Sequence, residues 1–210
     1  MVKAIFLDFW GTLVENGTWS PIKQVKEILK ISLPFSEYVL RMEKAMMTKP
    51  FSNLRAAFEE VGKEFQITIA TEQMELLVGL WNKNWMLAQL YPEIIETLES
   101  LQKEYDLVLI SNTDSCGLPQ VLTKFNLRPY FKKIFLSYET GLLKTDYGLQ
   151  QALKELHLHP EEAIMVGDSM ESDIIPAKKI GMTAILVDRR KTRDFQPKIE
   201  SLTQLREVLP

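Results

Sequence analysis

The 210-residue chain holds a single cysteine, Cys116. No disulfide can form within it, and the residue reads as the ordinary thiol of a reducing compartment. Histidine is almost as scarce: His157 and His159 lie together in LHLHP, near a predicted helix end, and read as surface or capping groups rather than ligands. No apolar run approaches the ~20 residues that span a bilayer. The opening MVKAIFLDFWG lacks the apolar core and small-residue cleavage site of a secretory leader, so a cytoplasmic location is expected. There is no excess of basic charge either. With 25 Lys and Arg against 28 Asp and Glu, the net charge of −3 gives no footing for nucleic acid or a membrane surface. The one basic run, DRRKTR at 188–193, reads as a solvated loop. Internal repeats and low-complexity tracts are absent.

What is present suits one domain, or one domain with an insertion: 46% hydrophobic residues, 25% charged, and length enough for a sizeable core. Five short β-rich runs stand out: KAIFLDF (3–9), DLVLIS (106–111), KKIFLS (132–137), AIMVGD (163–168) and TAILVD (183–188). Each is mostly apolar rather than alternating, the pattern of strands buried on both faces of a parallel sheet. Helical segments lie between them. PEIIETLESLQKEY places Ile94, Ile95, Leu98 and Leu101 on one face, and YGLQQALKELHL does the same with Leu149, Ala152, Leu153 and Leu156. Strand and helix in alternation predict an α/β fold, a parallel sheet with crossover helices.

Residues 15–90 break this rhythm with helical patterns only, among them IKQVKEILKI, NLRAAFEEVGKEF and TEQMELLVGLWNKNWMLAQL, divided early on by Pro21, Pro34 and Pro50. They read as a helical domain inserted after the first strand, with residues 1–14 and 91–210 forming the core domain. Trp81 and Trp85 are expected in the core of the insertion.

In an open parallel sheet, ligands gather beyond the carboxyl ends of the strands. The first strand ends at Asp8, the second at Ser111-Asn112-Thr113 and the fourth at Gly167-Asp168, while Lys144 follows the third. Asp173 comes shortly after, where a plain helix cap is the simple alternative. Three carboxylates brought to neighbouring strand ends would repel one another and raise their pKa values. A hard cation removes that penalty, and Mg²⁺ suits carboxylates, water and a backbone carbonyl with room left for a phosphate. Lys144 supplies the positive counterweight for an anionic substrate.

These residues resemble the haloacid dehalogenase superfamily of hydrolases over nearly the whole chain. DFWGTL, LVLISN, Lys144 and GDSMESD match its four motifs in order. The resemblance implies a Rossmann-like core with a C1-type helical cap over the active site. Asp8 would be the nucleophile. Ser111 and the Asn112 backbone would bind phosphate, and Lys144 would neutralise it. Asp8, Asp168 and the Trp10 carbonyl would ligate Mg²⁺, supported by Asp173, and Thr12 would order the loop.

Two positions depart from the family pattern. The third motif reads KTD in place of Lys-Pro, and Trp10 stands where most phosphatases of the superfamily carry an aspartate that protonates the leaving oxygen. Indole has no accessible acidic proton, so aryl or acyl phosphates are expected to outrun alkyl phosphates. An aromatic residue at this position also resembles the 2-haloacid dehalogenases, whose aspartate attacks carbon without metal. Arg41 lies about where their halide-directed arginine would fall, though its place on a helical pattern reads first as a helix-surface arginine. The complete acidic fourth motif favours a magnesium-dependent phosphatase acting on a small phosphorylated substrate. A metal-independent dehalogenase and a low-activity phospholigand-binding protein are the alternatives. Arg41, Lys44 and Arg55 are the cap residues considered for substrate contact.

Overall fold

A computed structural model describes residues 1–15 and 20–209; residues 16–19, at the start of the predicted insertion, and residue 210 lie outside the described residues. The first strand, β1 (Ala4–Leu7), is followed by four helices: α1 (Pro21–Ile28), α2 (Phe35–Met47), α3 (Leu54–Phe65) and α4 (Thr71–Met86). Alternation then begins with α5 (Ile94–Leu101), β2 (Asp106–Ser111), α6 (Leu118–Lys124), β3 (Lys133–Leu136) and α7 (Ser137–Thr140). The chain continues through α8 (Leu149–Glu155), β4 (Ala163–Gly167), α9 (Ile175–Lys179) and β5 (Thr183–Val187). It closes with β6 (Lys198–Ile199) and α10 (Leu205–Val208).

All strand pairs are parallel, in the order β3-β2-β1-β4-β5-β6. The sheet is Rossmann-like. Every residue of β1 is buried because both faces are covered: Ile5 and Leu7 pack into one apolar cluster, Ala4 and Phe6 into the other. The five predicted strands are all present. The sixth, β6, has only two residues and so no readable pattern; it pairs Lys198 and Ile199 with Leu186 and Val187.

The four helices after β1 bury a cluster of their own around Val25, Tyr38, Met42, Phe58 and Leu77. Pro21 opens α1 from its first turn, where a missing N–H costs nothing, and Asn53 caps α3 by accepting the Ala56 N–H at 3.0 Å. The last helical pattern stops short of its expected end, since α4 finishes at Met86. The chain there returns to its point of departure: Glu15 N–H donates to the Gln89 carbonyl at 2.8 Å and Tyr91 N–H to that of Leu13 at 3.2 Å. The helical layer thus leaves and rejoins the sheet through one narrow neck. No helix among the described residues is long and apolar enough to cross a membrane.

Candidate active site

Strand order reverses at β1, which has β2 on one side and β4 on the other. The crevice beyond the carboxyl ends is therefore expected at this point. Register places the acids there. Leu7 is level with Val166 across β1 and β4, so Asp8 leaves its strand one step before Asp168 leaves the neighbouring one. A backbone bond from Asp8 N–H to the Val166 carbonyl, 2.9 Å, ties the two exits together.

Asp8, Asp168 and Asp173 each bring a carboxylate oxygen to within 4.8 Å of the others. Lys144 lies among them. Its ammonium donates to Asp8 Oδ1 at 2.6 Å and also to Asp173 Oδ1, and the residue is only 3% exposed. Asp173 Oδ2 accepts the Ser169 N–H at 3.0 Å. The simple reading of Asp173 as a helix cap does not hold. Ser169 is the capping residue, accepting from Ser172 N–H at 3.1 Å, and Asp173 points into the acid cluster. Thr12 is fully buried and its hydroxyl faces Asp8 Oδ2 at 3.4 Å.

Two glycines make room for the carboxylates. Gly11 sits at φ +76°, and a Cβ there would lie 2.3 Å from Asp168 Oδ2; a Cβ on Gly167 would lie 2.2 Å from Asp173 Oδ2. Crowding leaves its mark on the proton affinities. Burial pushes Asp8 up to about 6, with Lys144 pulling down and Asp173 pushing up. Asp168 is raised well above the usual carboxylate range by burial, then by the charges of Asp8 and Asp173. Burial works against the Lys144 ammonium, yet Asp173 and Asp8 hold its pKa above the ordinary lysine value. One lysine against three carboxylates leaves a negative hard-oxygen site, a donor set suited to a divalent cation such as Mg²⁺.

The cluster forms the floor of a cavity of about 430 Å³ between sheet and helices. Asn112 and Thr113 line it; Ser111 instead borders a smaller pocket behind, buried with its hydroxyl unpaired. Asn112 Oδ1 accepts the Lys144 N–H at 3.0 Å, linking the second and third motif loops. Trp10 lines the cavity and packs edge-on against Phe9, ring centroids 5.1 Å apart.

The geometry also places the remaining candidates, some as expected and some not. Trp81 is buried in the core of the helical layer, as expected, and also lines the cavity, its indole N–H donating to Asp114 Oδ2 at 2.8 Å. Trp85 is only partly buried, lines the cavity and packs against the sheet's cluster instead. Arg41 is turned outward. It bonds Glu64 through its side chain at 2.7 Å, covers the Phe65 ring and takes no part in the cavity lining. Arg55 pairs with Glu75 on the surface, and Lys44 is exposed away from the cavity. The run 188–193 is more than a solvated loop. Arg189 stacks 3.4 Å from the Tyr91 ring centroid and pairs with Glu93 at 2.7 Å; it also donates to the Thr12 carbonyl at 2.8 Å, clamping the loop that carries Asp8.

Sequence reasoning also missed Asp114 and Glu43. Asp114 Oδ1 accepts the N–H groups of Cys116 and Gly117 at 2.7 and 3.1 Å, fixing the start of α6. Glu43, on α2, is 6% exposed in the cavity wall. It accepts from Asn112 Nδ2 at 2.7 Å and from the Ser172 hydroxyl at 3.0 Å. A signal for it existed: it shares the apolar stripe of Val39, Met42, Met46 and Met47, a place where an unpaired acid is costly.

A deep pocket with an aspartate at its floor, flanked by two more acids and a lysine, is the equipment of a hydrolase that works through a carboxylate nucleophile. Residues 6–187 match the family model described as haloacid dehalogenase-like hydrolase, and the chain belongs to that family. A relative from Methanothermobacter thermautotrophicus, named glyceraldehyde 3-phosphate phosphatase, is 27% identical over 230 residues covering 100% of both chains. Two solved structures superpose with the same TM-score of 0.64 and the same coverage, 99% of this chain and 97% of theirs. They are the 2-haloacid dehalogenase of Pseudomonas syringae pv. Tomato DC3000, 20% identical, and a HAD phosphatase from Thermococcus onnurineus, 24% identical. These two share the fold and leave the chemistry to the site.

Proposed function

We propose that the chain is a Mg²⁺-dependent phosphatase that hydrolyses a small phosphorylated substrate through an aspartyl-phosphate on Asp8. The observation that carries this reading is the convergence of Asp8, Asp168 and Asp173 around one lysine at the floor of the cavity between sheet and helices. The full-length relative named as a phosphatase supports a small phosphorylated substrate.

Asp8, Asp168 and the Trp10 carbonyl would hold the cation, with Asp173 behind them. When bound, Mg²⁺ offsets the negative charge gathered on nucleophile and phosphate oxygens. The chain's own groups do the rest. Lys144 holds Asp8 ionised and pairs with the phosphate dianion, while Asn112 fixes the Lys144 backbone beside it. The Asn112 backbone, in the cavity wall, binds phosphate oxygens, whereas Ser111, the other candidate of this motif, faces the smaller pocket behind. Asp8 attacks phosphorus in line, and water later cleaves the acyl-phosphate. Thr12 and Arg189 hold the loop so that Asp8 meets the substrate in one orientation. The helices α1–α4 act as the cap, closing the cavity against bulk water.

Dehalogenation is the second reading, favoured by the aromatic Trp10 where a proton donor would otherwise sit. It is weakened by Arg41, which is committed to Glu64 and Phe65, and by two further acids that would repel a carboxylate-bearing substrate. One assay separates them: an aryl phosphate and 2-chloropropionate, each with Mg²⁺ and with chelator. Phosphate release that vanishes with chelator is the expected result. Chloride release indifferent to chelator would overturn the reading in favour of the dehalogenase. Asp8→Asn is expected to abolish turnover under either chemistry, which checks the nucleophile alone.

A further inference from the structure

Indole at position 10 leaves the leaving oxygen without the acid that the family pattern provides. For alkyl phosphates that loss matters, because an alkoxide is a poor leaving group without a proton. Resting on the phosphatase reading, we propose that Glu43, presented from α2 into the cavity, is the general acid and base of this enzyme.

Among the described residues, Glu43 is the buried acid that the helical layer contributes to the wall shared with Asp8 and Lys144. Its carboxyl group is held on two sides. Asn112 lies at the end of β2, and Ser172 lies in the turn Met170–Ile174 that also carries Asp173. Both contacts belong to loops that border the cavity, so α2 holds the carboxyl group on the substrate side of the site. The charges facing it are Lys144 and Asp173 from the opposing loops, with Asn112 and Ser172 as neutral donors. Burial pushes its pKa up to about 7 against the pull of Lys144 and the two hydrogen bonds. The group therefore carries a proton over much of the neutral range and can also give it up, as a donor that must later act as base requires.

The proton balance closes within the site. As Asp8 forms its bond to phosphorus and the bond to the leaving oxygen breaks, the Glu43 proton passes to that oxygen and the alcohol departs. The resulting Glu43 carboxylate takes a proton from water as the water oxygen attacks phosphorus. The bond from phosphorus to Asp8 breaks, inorganic phosphate leaves, and both side chains return to their starting states. Trp10 keeps the aromatic wall, and the proton comes from the opposite layer.

The test compares glycerol phosphate, an alkyl ester, with p-nitrophenyl phosphate, whose leaving group needs no proton, in saturating Mg²⁺. Glu43→Gln preserves shape and can still accept from Asn112, so folding is retained. It should lower kcat on glycerol phosphate by about 10²–10⁴-fold while costing p-nitrophenyl phosphate less than about tenfold. The alkaline fall in wild-type activity on the alkyl ester should vanish in the variant. Glu43→Asp, which keeps the carboxyl group, should recover part of the loss. Equal losses on both esters, or none on either, would overturn the role of Glu43 while leaving the phosphatase reading intact. A wild-type enzyme that releases phosphate from neither ester would instead overturn the phosphatase reading, and this role with it.

Discussion

Gly11 sits at φ +76° directly beneath the Asp168 carboxylate, and the two facts act together. A side chain at this position costs about 1–2 kcal/mol for the left-handed backbone alone, and its Cβ would also push Asp168 off the cluster. Gly11→Ala is therefore expected to lower stability by roughly that amount and to weaken Mg²⁺ binding, read by thermal unfolding and by titration of the metal. Unchanged Mg²⁺ affinity would mean that Asp168 is not a ligand. The position of Trp10 allows a complementary experiment. Trp10→Asp in the Glu43→Gln background should raise alkyl-phosphate turnover again, since it returns an acid to the substrate side of the cavity; kcat on glycerol phosphate is the readout. At this scale Asp8, Asp168 and Lys144 were legible because each follows a short apolar strand, so the parallel sheet must carry them all to one edge. Glu43 and Arg189 were not. Each reaches the site from an element whose orientation depends on packing across more than sixty residues, as the contacts of Glu43 with Asn112 and of Arg189 with Thr12 show.

Helices α1–α4 form a layer with its own buried cluster, joined to the sheet through the neck at Glu15 and Gln89. Phe58 lies at its centre, fully buried and edge-on to Trp81 with ring centroids 5.6 Å apart. Phe58→Ala is expected to cost about 3–5 kcal/mol in urea unfolding, and, because Trp81 carries the bond to Asp114, to raise KM more than it changes Mg²⁺ affinity. A variant with altered metal affinity and unchanged KM would contradict that division of labour between layers. Element identity was largely readable. KAIFLDF and AIMVGD announce strands buried on both faces, and the helical pattern IKQVKEILKI falls on α1, which opens at Pro21. Boundaries were harder. The pattern that begins near Tyr147 becomes a helix only at Leu149, because the five residues from Lys144 form a wider turn that brings Lys144 to Asp8. That turn is set by the site, and hydrophobic periodicity carries no trace of it.

Among the described residues, three acids of the site have folded pKa values above their unfolded ones: Asp8 and Glu43, both buried, and the half-buried Asp168. Such groups bind protons more tightly when folded, so their contribution to stability is complete below the unfolded values. It is lost as pH rises through about 6 for Asp8 and about 7 for Glu43. Chelated protein should therefore have a lower Tm near pH 8 than near pH 5. Mg²⁺ should close the gap, because a ligand bound only by the folded state stabilises it and here meets ionised carboxylates. A Tm of chelated protein that climbs across this range would contradict the crowded-acid picture.

The phosphorus-bound state of Asp8 is open to direct capture. Acid quenching during turnover of a small phosphate ester, followed by borohydride reduction and peptide mass spectrometry, converts an acyl-phosphate into homoserine at the attacked residue. Homoserine at position 8, formed with Mg²⁺ and missing with chelator or in Asp8→Asn, is the predicted result. Phosphate release that proceeds with position 8 intact and unmodified would contradict it.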